Sequence, residues 1–434
     1  MTSRSKKRNT SKMYSLLSKQ AGAFQVIANN PTMIIPILTY IVLFITLYVK
    51  REDVFNISAF GMVSPVANMA ITVSLVVVGV VGLLYINVLL STPYRFRNTE
   101  AEFQRVGFTN AQGEAPRLVS CGYDKGGKRV RRLVFDANGI PLVLWQDKQA
   151  FVEQALDVTI INVKNGKQKN KIEILAVDGD VCLPNLIIWN DNYISPKNFE
   201  IVLGESLAGQ VVINLAKVPG ILIAGATGSG KTLLFSLVLH QAFEKGAGIV
   251  LVDMKGGVDF PASWSKKCRI CTEKAELLEF LMELGKIQEQ RKQLFVATGA
   301  RNIDDYNQKT SEDMRRYILA CDEVAEILQK IGLDKEEKDL VYKIQKEISK
   351  IARTGRAFGI HLVLATQRPA ADWLDGDIRS NLEHKICGSA DDTLSYVVFG
   401  DHRAADLIQP GECGRFINEK GELFQAYWMD EDQM

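Results

Sequence analysis

Three patterns of apolar and polar positions follow one another along this chain of 434 residues. The first is continuous apolarity. Thr32 to Val49 is an uncharged run of 18 residues, and a second uncharged stretch extends from Val54 to Tyr94, most apolar between Ala67 and Leu90. About 20 apolar residues cross a bilayer as a helix, so both runs are expected to span, the first at the short limit and with Pro36 inside it. A buried hairpin is the alternative for that run. The second pattern, over residues 95 to 195, is finer-grained. Arg132–Phe135, Leu142–Trp145, Val158–Val163 and Lys171–Val177 read as strands and Phe151–Leu156 as a short helix, divided by turn signals such as Asn138-Gly139 and Asp178-Gly179. A small α+β module is predicted there.

The third pattern begins near Pro196. Apolar runs of strand length alternate with helical periodicity: strand Ile221–Ala224, helix Leu233–Phe243, strand Gly248–Asp253, strand Cys268–Thr272, helix Glu273–Ala297, strand Arg316–Ala320, helix Lys335–Arg353 and strand His361–Arg368. Lys385–Cys387, Arg415–Ile417 and Leu423–Trp428 complete the set. Strand, helix, strand with crossovers predicts an α/β domain on a parallel sheet.

Within that domain the stretch Gly225-Ala226-Thr227-Gly228-Ser229-Gly230-Lys231-Thr232 fits G-x-x-x-x-G-K-[ST], between an expected strand and an expected helix. Glycines there let backbone N–H groups close around a polyphosphate, the lysine reaches the β- and γ-phosphates, and the threonine hydroxyl faces Mg²⁺. ATP and Mg²⁺ are the expected cofactors. The strand ending in Asp322-Glu323 supplies the second half of such a site. One carboxylate orders the Mg²⁺ shell through water, the role expected of Asp322, and its neighbour orients water, the role expected of Glu323. Thr366-Gln367 closes a further strand, where the Gln367 amide is placed to sense the γ-phosphate. An arginine finger is also required, from this chain or from a neighbour. Arg353, Arg356, Arg368, Arg379 and Arg403 are the candidates, and sequence does not choose among them.

Net charge is only +2, but its distribution is uneven. Residues 1–31 carry Arg4, Lys6, Lys7, Arg8, Lys12 and Lys19 and no acid, and Arg95, Arg97 and Arg105 follow the second apolar stretch, whereas Lys50, Arg51, Glu52 and Asp53 cancel between the two. The positive-inside rule then puts both termini in the cytoplasm, with the cell membrane crossed twice. The first run starts too late for a cleaved signal peptide, and no small-residue cleavage site follows it. A basic cluster in the middle module (Lys125, Lys128, Arg129, Arg131, Arg132) reads either as a DNA or lipid contact or as a solvated hairpin. Seven cysteines are expected to be reduced thiols. Cys268 and Cys271 form a lone C-x-x-C, and positions three apart on a strand face opposite sides, so a buried strand is expected rather than a zinc or redox pair.

These residues, with Leu203–Gly209, Ala300-Arg301-Asn302-Ile303, Tyr306-Asn307 and Gly359–Pro369, resemble the FtsK/SpoIIIE family of DNA-pumping ATPases over roughly residues 199–418. The resemblance implies a RecA-like P-loop motor that assembles as a homo-hexamer around DNA, with ATP at subunit interfaces. By motif it carries Gly225–Thr232, Asp322, Glu323 and Gln367 over as nucleotide-binding and catalytic positions, Lys231, Glu323 and Gln367 being the catalytic ones. Four regions result: a basic cytoplasmic tail (1–31), a two-helix transmembrane region (32–90), a membrane-proximal α+β module (91–195) and an FtsK-like ATPase motor (196–434). Chromosome translocases of the family typically have four spans, a long linker and a C-terminal winged helix. Two spans, no Pro/Gln-rich linker and no room for a winged helix after Met434 resemble instead the coupling proteins of Gram-positive conjugative elements, whose partners are DNA, a relaxase and other conjugation-machinery proteins. Chromosome segregation is the alternative. A type VII-like secretion ATPase and a non-hydrolysing anchor fit less well, given one motor and an intact Asp322-Glu323 pair. The family's I-D-P-K becomes Val252-Asp-Met-Lys255, which leaves the role of Lys255 open.

Overall fold

Five-residue apolar runs with no polar interruption have to be covered on both faces, and this decides the architecture of the larger half of the protein. The computed structural model describes residues 34–51, 65–91, 96, 98–124, 129–256, 260, 263–368 and 376–430. The basic tail, Lys125, Lys128, Gly257 and Pro369 lie outside them. Contacts divide the chain into two compact units, Met1–Cys182 and Leu183–Met434.

In the first unit the two apolar runs become the helices Ile34–Val49 and Pro65–Ser91. Among the described helices one, over Met69–Ile86 with mean hydropathy 2.5, is long and apolar enough to cross a membrane. The shorter helix has 16 residues. At ~1.5 Å per residue it reaches roughly 24 Å, against a hydrocarbon core of about 30 Å. Small residues seat one helix on the other. A Cβ at Gly79 would run into the Phe44 ring, and one at Gly82 into the Tyr40 hydroxyl. That hydroxyl donates to the Gly79 carbonyl at 3.2 Å.

Residues 96–182 contain, among the described residues, a four-stranded antiparallel sheet in the order β1-β2-β4-β3, with β1 Arg117–Tyr123, β2 Arg131–Asp136, β3 Val158–Asn165 and β4 Lys171–Asp178. Leu133, Phe135, Ile172, Ile174 and Ala176 alternate onto its buried face. The Leu142–Trp145 run, expected as a strand, is the helix Leu142–Asp147. Four apolar residues carry too little periodicity to separate the two states. Burial of Trp145 among Phe103, Phe108 and Phe135, with ring centroids 4.8–5.8 Å away, favours the helical turn. The first strand, β1, carries no clear strand pattern in the sequence, because a register shift between Leu118 and Ser120 breaks its alternation.

The second unit is built on an 11-stranded sheet, counted among the described residues. Its strands are β5 Ile187–Ile188, β6 Glu200–Ser206, β7 Gly209–Asn214, β8 Gly220–Ala224, β9 Gly248–Val252, β10 Arg269–Cys271, β11 Tyr317–Cys321, β12 Ile360–Thr366, β13 His384–Cys387, β14 Arg415–Asn418 and β15 Leu423–Trp428. The order is β10-β9-β11-β12-β8-β13-β14-β15-β6-β7, with β5 beside β15. From β10 to β13 neighbours are parallel; β13, β14, β15, β6 and β7 pair antiparallel. The expected parallel sheet is therefore mixed. Strand β8 shows why both faces are apolar: Ile221 and Ile223 join the core under the helix Lys231–Glu244, while Leu222 joins the opposite core under Lys274–Thr298 and Lys335–Thr354. The last of these helices opens on a capping box, with the Asp334 side chain accepting from the Glu337 amide and the Glu337 side chain accepting from the Asp334 amide. Val341, Ile344, Ile348 and Ile351 then recur on its buried face.

Candidate active site

Parallel strands β8, β11 and β12 end at one edge of the sheet, and there the polar residues gather. Gly220–Ala224 is buried throughout, so the first residues able to meet solvent are those that follow it. Two glycines are required by close approach. A Cβ at Gly225 would lie 2.5 Å from the Ser229 hydroxyl oxygen. Gly230, at φ +88°, occupies the left-handed region, and a Cβ there would lie 2.9 Å from the Gly414 amide nitrogen. Gly230 caps the helix Lys231–Glu244. The glycine loop thus leads directly into the positive end of that helix, where anions bind.

Lys231 extends from the first helical position to Asp322, at the end of β11. Its ammonium donates to the Asp322 carbonyl at 2.9 Å and forms an ion pair with the carboxylate, the two side chains being 3% and 9% exposed. The Thr232 hydroxyl lies 3.4 Å from the other Asp322 oxygen. Glu323, half-buried, accepts from the Thr366 hydroxyl at 2.8 Å and from the Gln367 amide at 2.9 Å. The Gln367 side-chain oxygen accepts from the Thr227 hydroxyl at 2.8 Å. Three strand ends therefore bring together Thr227, Lys231, Thr232, Asp322, Glu323 and Gln367, residues spread over more than a hundred positions of sequence.

A triphosphate and a divalent cation fit these residues. A buried ammonium beside the positive end of a helix matches polyphosphate, and the Ser229 hydroxyl is buried there with no protein partner. A threonine hydroxyl beside an aspartate is an all-oxygen set suited to Mg²⁺. Cys321, wholly buried just before Asp322, has its thiol pushed well above the ordinary range by that burial and is no nucleophile.

The five candidate arginines separate by position along the strands. Arg356 donates to the Lys217 carbonyl at 3.0 Å, and it and exposed Arg353 precede β12. Arg379 precedes β13 and donates to the Val397 carbonyl, and Arg403 reaches the Glu419 carbonyl beside His384, the first residue of β13. These four are near the amino ends of the strands, and seven-residue β12 is roughly 20 Å long at ~3.3 Å per residue. Arg368 alone of the five follows β12 at the phosphate-loop edge, where it donates to the Gln329 side chain at 3.3 Å. At the end of β9 the Asp253 carboxylate accepts from the Lys255 amide at 2.9 Å, leaving the Lys255 side chain exposed on the same edge.

Other motif residues do structural work. Asn302 caps the helix Ile303–Thr310 by accepting from the Asp305 amide at 2.9 Å, and Asn307 accepts from the Met314 amide at 3.1 Å. A Cβ at Gly204 would run into β15. Cys268 belongs to one core and Cys271 to the other, and burial pushes both thiols up to about 11. All seven cysteines are free. Two supports of the site were not singled out from sequence. In the sequence Thr366 has no signal beyond its place at the end of an apolar strand. Gly414, whose amide donates to the Ser229 carbonyl at 2.9 Å, comes nearly two hundred residues after the loop it steadies, and only its Gly-x-x-Gly spacing ahead of a strand hinted at a tight approach.

Comparison with known proteins agrees with this geometry. The model of the FtsK/SpoIIIE family matches residues 190–371. The chain is 32% identical over 250 residues to the DNA translocase FtsK of Chlorobaculum tepidum, covering 54% of this chain and 29% of that protein. To the DNA translocase SftA of Bacillus subtilis it is 35% identical over 236 residues, 51% of this chain and 24% of the relative. It thus spans less than a third of either. The solved structure of the pCW3 conjugation coupling protein TcpA, monomer form with ATPγS, superposes with a TM-score of 0.57 at 32% identity, over 79% of this chain and 97% of that one. With the family model lying across the phosphate loop and Asp322-Glu323, and a relative matched over nearly its whole length, the chain belongs to the FtsK/SpoIIIE family and carries a P-loop ATPase motor.

Proposed function

We propose that this protein is a membrane-anchored, ATP-driven DNA translocase that acts as the coupling protein of a conjugative transfer system. The observation that carries the reading is the match to TcpA over 97% of that chain, at the same identity as the first translocase above but over most of both sequences. Lys231 and Thr227 bind the phosphates, Lys231 giving up Asp322 to do so, and Gln367 reports the γ-phosphate to the end of β12. Glu323 orients water for in-line attack and takes its proton. Thr232 would hold Mg²⁺ directly and Asp322 through water; when bound, the ion neutralises charge building on the β- and γ-oxygens. The arginine finger comes from a neighbouring subunit of a homo-hexamer, in keeping with four of five candidates near the far ends of the strands.

Pairing of the two apolar helices as an anchor is supported by the Gly79/Gly82 notch, because close helix approach through small residues is how membrane helices associate. Cytoplasmic termini are supported by the basic residues that flank the two runs. The four regions 1–31, 32–90, 91–195 and 196–434 serve as tail, anchor, membrane-proximal module and motor. DNA is gripped through its phosphates, so log affinity falls linearly with log salt, by about 0.9 per phosphate neutralised on duplex, and origin choice is left to a relaxase. Segregation or division of chromosomes is the second reading, favoured by the relatives named FtsK and SftA. The two are separated by replacing the gene with a Glu323→Gln copy. Plasmid transfer in matings should fall by orders of magnitude with chromosome partition unchanged. Normal mating with trapped chromosomes at division would reverse the assignment.

A further inference from the structure

We propose that Thr366 is a positioning residue for Glu323: it sets the direction of the carboxylate that orients water and ties that direction to the phosphate loop. The inference rests on the reading of Glu323 given above. Thr366 is the last residue of β12, 3% exposed, between β11 and β8. Its hydroxyl has one proton to give. The Arg368 amide donates to the hydroxyl oxygen at 3.1 Å, and the hydroxyl donates to Glu323 at 2.8 Å. The Arg368 carbonyl is a second acceptor within reach, at 3.4 Å, but the carboxylate is much the nearer, and a carboxylate is the stronger acceptor, so the single proton goes to Glu323. The other Glu323 oxygen is held by the Gln367 amide, and both glutamate oxygens thus hang from the end of one strand. A β-branched side chain has a stiff first torsion, which makes threonine a better fixture than serine for the same hydroxyl.

The same strand end grips the loop that holds the substrate. The Thr366 carbonyl accepts from the Gly225 amide at 3.3 Å, and Gln367 accepts from Thr227 at 2.8 Å. Movement of the phosphate loop is therefore passed to Glu323 through two adjacent residues, Thr366 and Gln367. Valine keeps the shape of threonine and removes the donor, leaving one carboxylate oxygen unheld.

The test is steady-state and single-turnover ATP hydrolysis by the full-length protein in detergent, with ATPγS binding followed in parallel. Since misplacement by about 1 Å can cost ~10²-fold, Thr366→Val should lower kcat about 10- to 100-fold while KM for ATP and ATPγS affinity stay within about 2-fold. Thr366→Ser should recover most of the loss. In a Glu323→Ala background Thr366→Val should cost nothing further, because a residue acting through another has no effect once that other is gone. An equal loss in the Glu323→Ala background, no rescue by serine, or a fall in ATPγS affinity matching the fall in kcat would each overturn the proposal. If Glu323→Ala alone hydrolyses ATP at the parental rate, it is the assignment of Glu323 that fails, and the Thr366 role fails with it.

Discussion

In the sheet of residues 117–178 burial alternates along the central strands β2 and β4, whereas β8, β9 and β12 are buried at every position. The consequence is chemical as much as architectural. The alternating sheet keeps its charged residues along the strands and neutralises them there: Arg131 pairs with Asp178, Arg132 with Asp124 and Glu173, and Lys171 with Asp136. Two members of the basic cluster noted in sequence are thus already paired within the module. The doubly covered sheet has nowhere to keep polar groups except the ends of its strands, and Asp253, Asp322 and Thr366 stand immediately at or after those ends. Burial of the strands concentrates reactive side chains at the edge where β8 delivers its glycines.

Breaking one region should leave the other working, and the largest effect is expected in the module. Trp145, fully buried against Phe103, Phe108 and Phe135, should cost about 3–5 kcal/mol when replaced by alanine. Limited proteolysis should then open residues 96–182 first, while ATP turnover per intact motor is kept. Turnover falling in step with proteolysis would deny that the two sheets are independent. In the motor, Lys231→Ala removes the point charge on the phosphates and should slow hydrolysis by at least ~10²–10³-fold, about 2.7–4 kcal/mol, with the module's melting unchanged. Parental turnover by the purified variant would remove the phosphate-loop assignment.

A smaller effect tests burial itself at the other end of β12. His361 donates from Nδ1 to the Val218 carbonyl at 3.0 Å and accepts at Nε2 from Arg316 at 3.1 Å. Burial first, and the Arg316 charge second, push its pKa down to about 3. The unfolded chain takes up that proton near 6.5. Between about 6.5 and 3 the unfolded state therefore binds a proton the folded state refuses, and motor stability falls as pH falls, by at most about 1.4 kcal/mol per pH unit. Urea melts from pH 7 to 4.5 should show this slope, flattened in His361→Gln. An equal slope in both proteins would mean that other groups govern it.

What the sequence determined on its own was whatever depends on neighbours along the chain. A strand, glycine loop and helix in succession carry the phosphate cradle within a dozen residues, and the unbroken apolarity of Gly248–Val252 and Leu362–Ala365 announces strands covered on both faces. The resemblance carried by Gly359–Pro369 and the Asp322-Glu323 pair named the family. Short segments failed for a local reason: Leu142–Trp145 is too brief for its period to tell helix from strand, and β1 is broken by a bulge. Tertiary structure alone decided which strands became neighbours. Putting β12 between β11 and β8 is what lets Thr366 reach Glu323 and Thr227 reach Gln367, and closing the antiparallel β14 and β15 onto β13 is what brings Gly414 against Ser229. Hydrogen bonds between strand ends depend on lateral order in the sheet, and lateral order is set by the packing of whole faces, which no single segment of sequence encodes.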